Sequence, residues 1–181
     1  MKRLTAFSLF AVILAILFAV PAQAQNTPLK DFDAGKWHMK YVDGPDVNIT
    51  ISHSITDDGA KYDGRSFTQE YSGSALLVEE ITYESVRDES SDMKDKVIAS
   101  SFSAIQGATT VKTYANENWS ANGLSGREGS EGIEMGGKGY FVVERVYVSG
   151  KRCYIIGALI AINSKLSGSD VRKIFDSFEV E

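Results

Sequence analysis

The 181-residue chain contains a single cysteine, Cys153. One cysteine excludes an internal disulfide, so the fold must be held by packing alone, and the only covalent pairing left is one between chains. Histidine is almost as scarce: His38 and His53 are the two present. They have no companion Cys/His set at metal-ligand spacing, and they leave few ways to build a Ser/His/Asp triad. No G-x-S-x-G occurs, nor any repeat of 20–50 residues or low-complexity tract. After Gln25 no apolar run is long enough to cross a bilayer. A basic stripe is missing too. With 19 basic and 24 acidic side chains, the chain is a poor fit to nucleic acid or an anionic membrane surface.

The first residues supply what the rest lacks. "MKRLTAFSLFAVILAILFAVPAQAQ" joins a basic start (Lys2, Arg3) to an apolar stretch and the small-residue pattern Ala22-Gln23-Ala24. That order predicts a cleaved leader over 1–24 and an exported protein, periplasmic or secreted. Removing 24 of 181 residues leaves 157, and losing Lys2 and Arg3 leaves 17 basic against 24 acidic groups, a formal charge of −7. Residues 25–36 are polar and read as a flexible lead-in. Residues 37–181 are expected to form one α+β domain, a length that permits a sizeable core.

Alternation dominates the rest. "VNITISHSI" (47–55) places Val47, Ile49, Ile51 and Ile55 on one face, which predicts a half-buried strand with His53 as a buried structural histidine. "DDG" (57–59) is turn chemistry, and strands are expected near 61–71 and 75–86. Glu79 and Glu80 alternate sides within the latter, as at a sheet edge. Over 91–106 the period changes: Met93, Val97, Ile98, Phe102 and Ile105 make a helical stripe. "TVKTYA" (110–115) is again a strand. Next, 116–139 holds seven of the sixteen glycines and reads as the longest loop.

"YFVVERVYV" and "CYIIGALIAI" follow, joined by "SGKR". A turn centred on Gly150-Lys151 sets Val148 opposite Cys153 and Tyr147 opposite Tyr154. The second strand is apolar on both faces and therefore central. This makes Cys153 a buried filler, although Lys151 and Arg152 are close in sequence. Val171, Ile174, Phe175 and Phe178 form a final helical face near 168–177, with Ser167 and Asp170 as a capping box. The sum is α+β, a largely antiparallel sheet of about six strands flanked by two helices.

Chemistry is thin. Lys138 is followed by Gly139 and a strand, which breaks the phosphate-loop pattern. Strand tyrosines are most simply sheet packing. No catalytic residue, metal ligand or cofactor is expected. Arg127, Glu128, Lys138 and Tyr140, in and beside the glycine-rich stretch, are the candidate residues for binding a partner or ligand, because long loops on rigid sheets carry binding groups. The expected role is an exported, non-catalytic accessory or binding module for a protein or small molecule. Two alternatives are a small metal-dependent or hydrolytic enzyme using His53 with Asp57 and Asp58, and a structural protein of the cell envelope.

"NGLSGREG" (122–129), "RVYVSGKRCYIIGAL" (145–159) and "LSGSDVRKIFDSFEVE" at the C-terminus resemble the PsbP-like superfamily, which includes exported bacterial DcrB-type domains and the extrinsic photosystem II protein PsbP. The resemblance implies an antiparallel sheet flanked by helices and a non-enzymatic accessory role; it carries no functional residue over to this chain.

Overall fold

The structure, a computed structural model, describes residues 27–55, 61–114 and 116–181. The 1–24 leader and Asp57, Asp58 and Gly59 of the expected turn lie outside them. Among the described residues are eleven strands in two sheets and two helices, against the six strands expected. In chain order they are β1 (Leu29–Asp33), β2 (Trp37–Val42), β3 (Asn48–Ile55), β4 (Lys61–Tyr71), β5 (Ser74–Tyr83), α1 (Ser91–Ser103), β6 (Ala108–Thr113), β7 (Glu117–Ala121), β8 (Leu124–Met135), β9 (Lys138–Ser149), β10 (Arg152–Ala161), α2 (Gly168–Asp176) and β11 (Glu179–Val180).

The large sheet runs β3-β4-β5-β10-β9-β8-β6, with β7 also pairing β8; every pairing is antiparallel. Its centre is the hairpin over 138–161. Gly150 has φ +57°, and Val148 pairs Cys153 while Tyr147 pairs Tyr154, as the alternation requires. The two apolar faces of β10 diverge as expected. Cys153, Ile155 and Leu159 lie under α1, whereas Tyr154, Ile156, Ala158 and Ile160 join the core beneath the small sheet and α2.

α1 crosses β8 and β9. The Ser90 hydroxyl caps it by accepting from the Met93 N–H at 3.2 Å, leaving one donor fewer unsatisfied at the helix start. On the opposite face, the Ser167/Asp170 box starts α2, and Val171, Ile174, Phe175 and Phe178 are buried.

The second sheet, β1-β2-β11, covers this same face. Within it the expected lead-in is in part a strand: Leu29–Asp33 pairs with His38–Val42. Trp37, Met39 and Tyr41 alternate inward from β2, and Trp37 meets Phe67 of β4 edge-on with ring centroids 4.8 Å apart. Gln69 ties the two sheets together. Its amide accepts from the Val42 N–H (2.9 Å) and donates to the carbonyls of Val42 and Pro45 (2.8 Å each).

Two further expectations fail for non-local reasons. The small sheet ends over Phe67, one strand short of β3, so Ile49 and Ile51 stay 57% and 66% exposed. The glycine-rich 116–139 stretch is no loop but β7, a tight turn, all of β8 and the Gly136-Gly137 turn into β9. Its glycines mark close approaches. A Cβ on Gly126 would strike the Val146 carbonyl and the Trp119 indole, and one on Gly129 would meet Ile98 of α1 at 2.6 Å.

Candidate functional site

The two faces of the large sheet handle charge differently. Beneath α1 the polar groups are sealed in. Glu79 is 6% exposed and among the described residues accepts only from the Ser66 hydroxyl, at 3.3 Å; burial pushes its carboxyl up to about 7. Glu144 on β9 is fully buried, and neither carboxyl oxygen has a hydrogen-bond partner among the described residues. Burial, followed by the nearby Glu79 charge, pushes its carboxyl pKa well above the ordinary carboxylate value, with the Ser101 hydroxyl opposing the shift only in part. Cys153 shares this interior, where burial lifts the thiol to about 12, so it is the inert filler its strand position suggests. These groups belong to the middle of the sheet: β5 lies between β4 and β10, and Glu79 and Glu80 are not at an edge.

On the other face, charges are paired. Glu80, likewise buried, takes Arg65 through two nitrogens and lies 3.5 Å from Lys36. Arg145 is the centre of a larger cluster. Its Nε donates to Glu128 and its Nη1 to Asp176 of α2, both at 2.6 Å. Its guanidinium also stacks over the Trp119 and Phe175 rings at 5.0 and 5.4 Å. Beside this cluster a cleft of about 170 Å³ opens between α2 and β7–β10. Phe141, Val143 and Ile160 wall it, and Glu117 and Arg172 are exposed at its rim. Arg172 makes no ion pair among the described residues.

A second cleft of about 400 Å³ lies at the β9–β10 hairpin, lined by Tyr147, Ser149, Lys151, Arg152 and Tyr154, with Leu124, Val180 and Glu181 opposite. Tyr147 and Tyr154 stack at 6.1 Å with planes 16° apart. The Tyr154 ring is fully buried and its hydroxyl has no hydrogen-bond partner among the described residues.

The four residues singled out in the sequence do not converge. Arg127 and Glu128 are neighbours on a strand and point to opposite faces. Arg127 holds Asp95 of α1 through Nε (2.8 Å) and Nη2 (3.0 Å), and also reaches Asn118 and the Asn116 carbonyl. That contact holds the Asp95 carboxyl below its ordinary value. Glu128 lines the α2 cleft. Tyr140 is buried in the apolar cluster under α1, and Lys138 opens β9 after the Gly136-Gly137 turn.

His53, expected in the core, is 74% exposed on β3 with its Nδ1 2.6 Å from Asp63; its proposed companions Asp57 and Asp58 are outside the described residues. His38 faces outward beside Glu179 at 2.9 Å. Among the described residues no three His, Cys, Asp or Glu side chains gather at metal distance. Arg145 was not signalled by the sequence, since its partners lie 17 and 31 residues away.

No protein-family model and no curated protein sequence matches the chain. Among solved structures it is similar to the solution structure of cyanobacterial PsbP (CyanoP) from Synechocystis sp. PCC 6803. The TM-score is 0.56 and the identity 12%, covering 90% of this chain and 98% of that one. The fold is therefore PsbP-like, and the likeness extends well beyond the 122–181 region in which the sequence motifs lie.

Proposed function

We propose that the protein is an exported, non-catalytic binding module whose contact surface is the α2 face, centred on the cleft that holds Glu128 and Arg145. The observation that carries this reading is the Arg145 cluster. A buried guanidinium fixed by two carboxylates and two aromatic rings makes a rigid cleft floor, while Phe141 and Arg172, which has no ion pair among the described residues, stay accessible at its margin. Rigid polar and aromatic groups beside apolar walls are what a recognition surface needs. Catalysis fits less well. The strongly perturbed carboxyls Glu79 and Glu144 are closed off beneath α1, where no substrate could meet them. Export rests on the leader pattern of residues 1–24.

The test places a photo-crosslinking amino acid at position 172 or, as a control on the far edge, at position 51, and irradiates intact cells. The reading expects a discrete adduct from position 172 that excess unlabelled protein competes away, with none from position 51. Equal labelling from both positions, or none from either, would refute it. N-terminal sequencing of the envelope-associated protein should begin at Gln25; retention of residues 1–24 in a cytoplasmic pool would remove the export part.

A further inference from the structure

The hairpin cleft combines features that the proposed binding face does not need. Lys151 and Arg152 follow the Gly150 turn and line it, and neither forms an ion pair among the described residues. Arg152 precedes Tyr154 by two positions on β10, so both point to the same side of the strand. The Tyr154 hydroxyl is a buried polar group near the Arg152 guanidinium, with no well-formed hydrogen bond among the described residues and no acceptor for its proton, which costs free energy unless something supplies one. Its nearest acid by strand register, Glu80, is already occupied by Arg65 and Lys36. Leu124 and Val180 give the cleft apolar walls, and the Tyr147 and Tyr154 rings lie almost parallel within it. One acid faces the basic pair from across the cleft, Glu181, which makes no side-chain ion pair among the described residues.

From these observations we infer that the hairpin cleft binds a small anion, a carboxylate or phosphate carrying an apolar or aromatic body. Lys151, Arg152 and the Tyr154 hydroxyl would donate to its oxygens, and Leu124, Val180 and Tyr147 would pack on its body. An anion supplies the acceptor and the counter-charge that the hydroxyl and the two cations lack among the described residues. A guanidinium also matches both oxyanions in geometry. Glu181 is the built-in competitor, because it is the acidic residue lining the same cleft.

The measurement is a titration of the purified protein with phenyl phosphate, benzoate and, as the uncharged control, benzyl alcohol, each to about 10 mM, where weak binding remains detectable. Backbone amide shifts of residues 151–154 and 180 are followed by NMR. Saturable shifts with either anion and none with benzyl alcohol are expected, and the tighter anion identifies the head group. R152Q should weaken binding by about tenfold and Y154F by several-fold, as for one charge-assisted and one neutral hydrogen bond lost. E181Q, which leaves the donors intact, should tighten it. Thermal melts of the variants separate loss of binding from loss of fold. Equal shifts with benzyl alcohol, no shift with either anion, or weaker binding in a folded E181Q protein would overturn the proposal. None of these outcomes bears on crosslinking from position 172, so the two readings fail independently.

Discussion

The sheet's two faces solve one problem in opposite ways. Beneath α1 the buried acids pair with no cation among the described residues: Glu79 has a serine, and Glu144 has no well-formed hydrogen bond there. Beneath the small sheet and α2 the acids have cations, the buried Glu80 with Arg65, the buried Asp170 with Lys173 and the half-buried Glu128 with Arg145. On the first face burial raises the carboxyls, and on the second a guanidinium stands against Glu80 and against Glu128. The difference teaches where pH acts on this fold and where sequence change does.

The sharpest break should come from the paired face. R145A leaves Glu128 beneath the surface without its cation, and removes the contact to Asp176 and both rings. Loss of one partner of a buried pair costs about 4 kcal/mol, readable as a lower urea midpoint. R145M, which fills the space but cannot neutralise Glu128, should recover only part of that loss.

Next in size is the pH response of the unpaired face. The folded Glu79 carboxyl titrates at about 7, against 4.5 when unperturbed. The native state therefore holds its proton where the unfolded chain has already lost it. The stability this affords is complete below pH 4.5 and is lost as pH rises to about 7. One such group amounts to about 3 kcal/mol across that window. Urea unfolding at pH 4.5 and pH 8 should show E79Q losing this component of the pH dependence, while E80Q should retain it. Parallel pH profiles for E79Q and the wild-type protein would erase the contrast between the faces.

Smaller effects sharpen the same contrast. G129A forces Ile98 and Asn116 apart where α1 meets β8, an overpacking worth about 2 kcal/mol. R127A removes the tie between β8 and Asp95; because that pair is partly exposed, about 1 kcal/mol is expected. H53A, on the exposed edge strand, should shift the melting midpoint within error, about 0.5 kcal/mol or less.

What could be read in advance follows the distance over which each cause acts. The 138–161 hairpin was legible because turn chemistry at Gly150 and the alternation on either side act within a few residues. Both helices were legible through their stripes and capping serines. The β7–β8 pair was not, since glycine ordinarily signals a loop. Here Gly126 and Gly129 are small because Trp119 and Ile98, from β7 and α1, come down on them. β11 is two residues long and carries no period at all. Exposure of Ile49 and His53 likewise depends on where another sheet happens to stop. Within the candidate sites, Glu128 could be singled out in the sequence, but its partner Arg145 is defined only by strand pairing.

The position of β11 sets a timetable. It adds to β2 by pairing Glu179 with His38 and Val180 with Trp37, although β2 is among the first strands made. A chain delivered N-terminus first must wait across the 141-residue step from His38 to Glu179 before that layer is complete, and contacts of such sequence separation close slowly. Until then Trp37, Met39 and Tyr41 lack part of their cover. The interval between delivery and closure is when this protein is most open to a chaperone, a protease or another copy of itself.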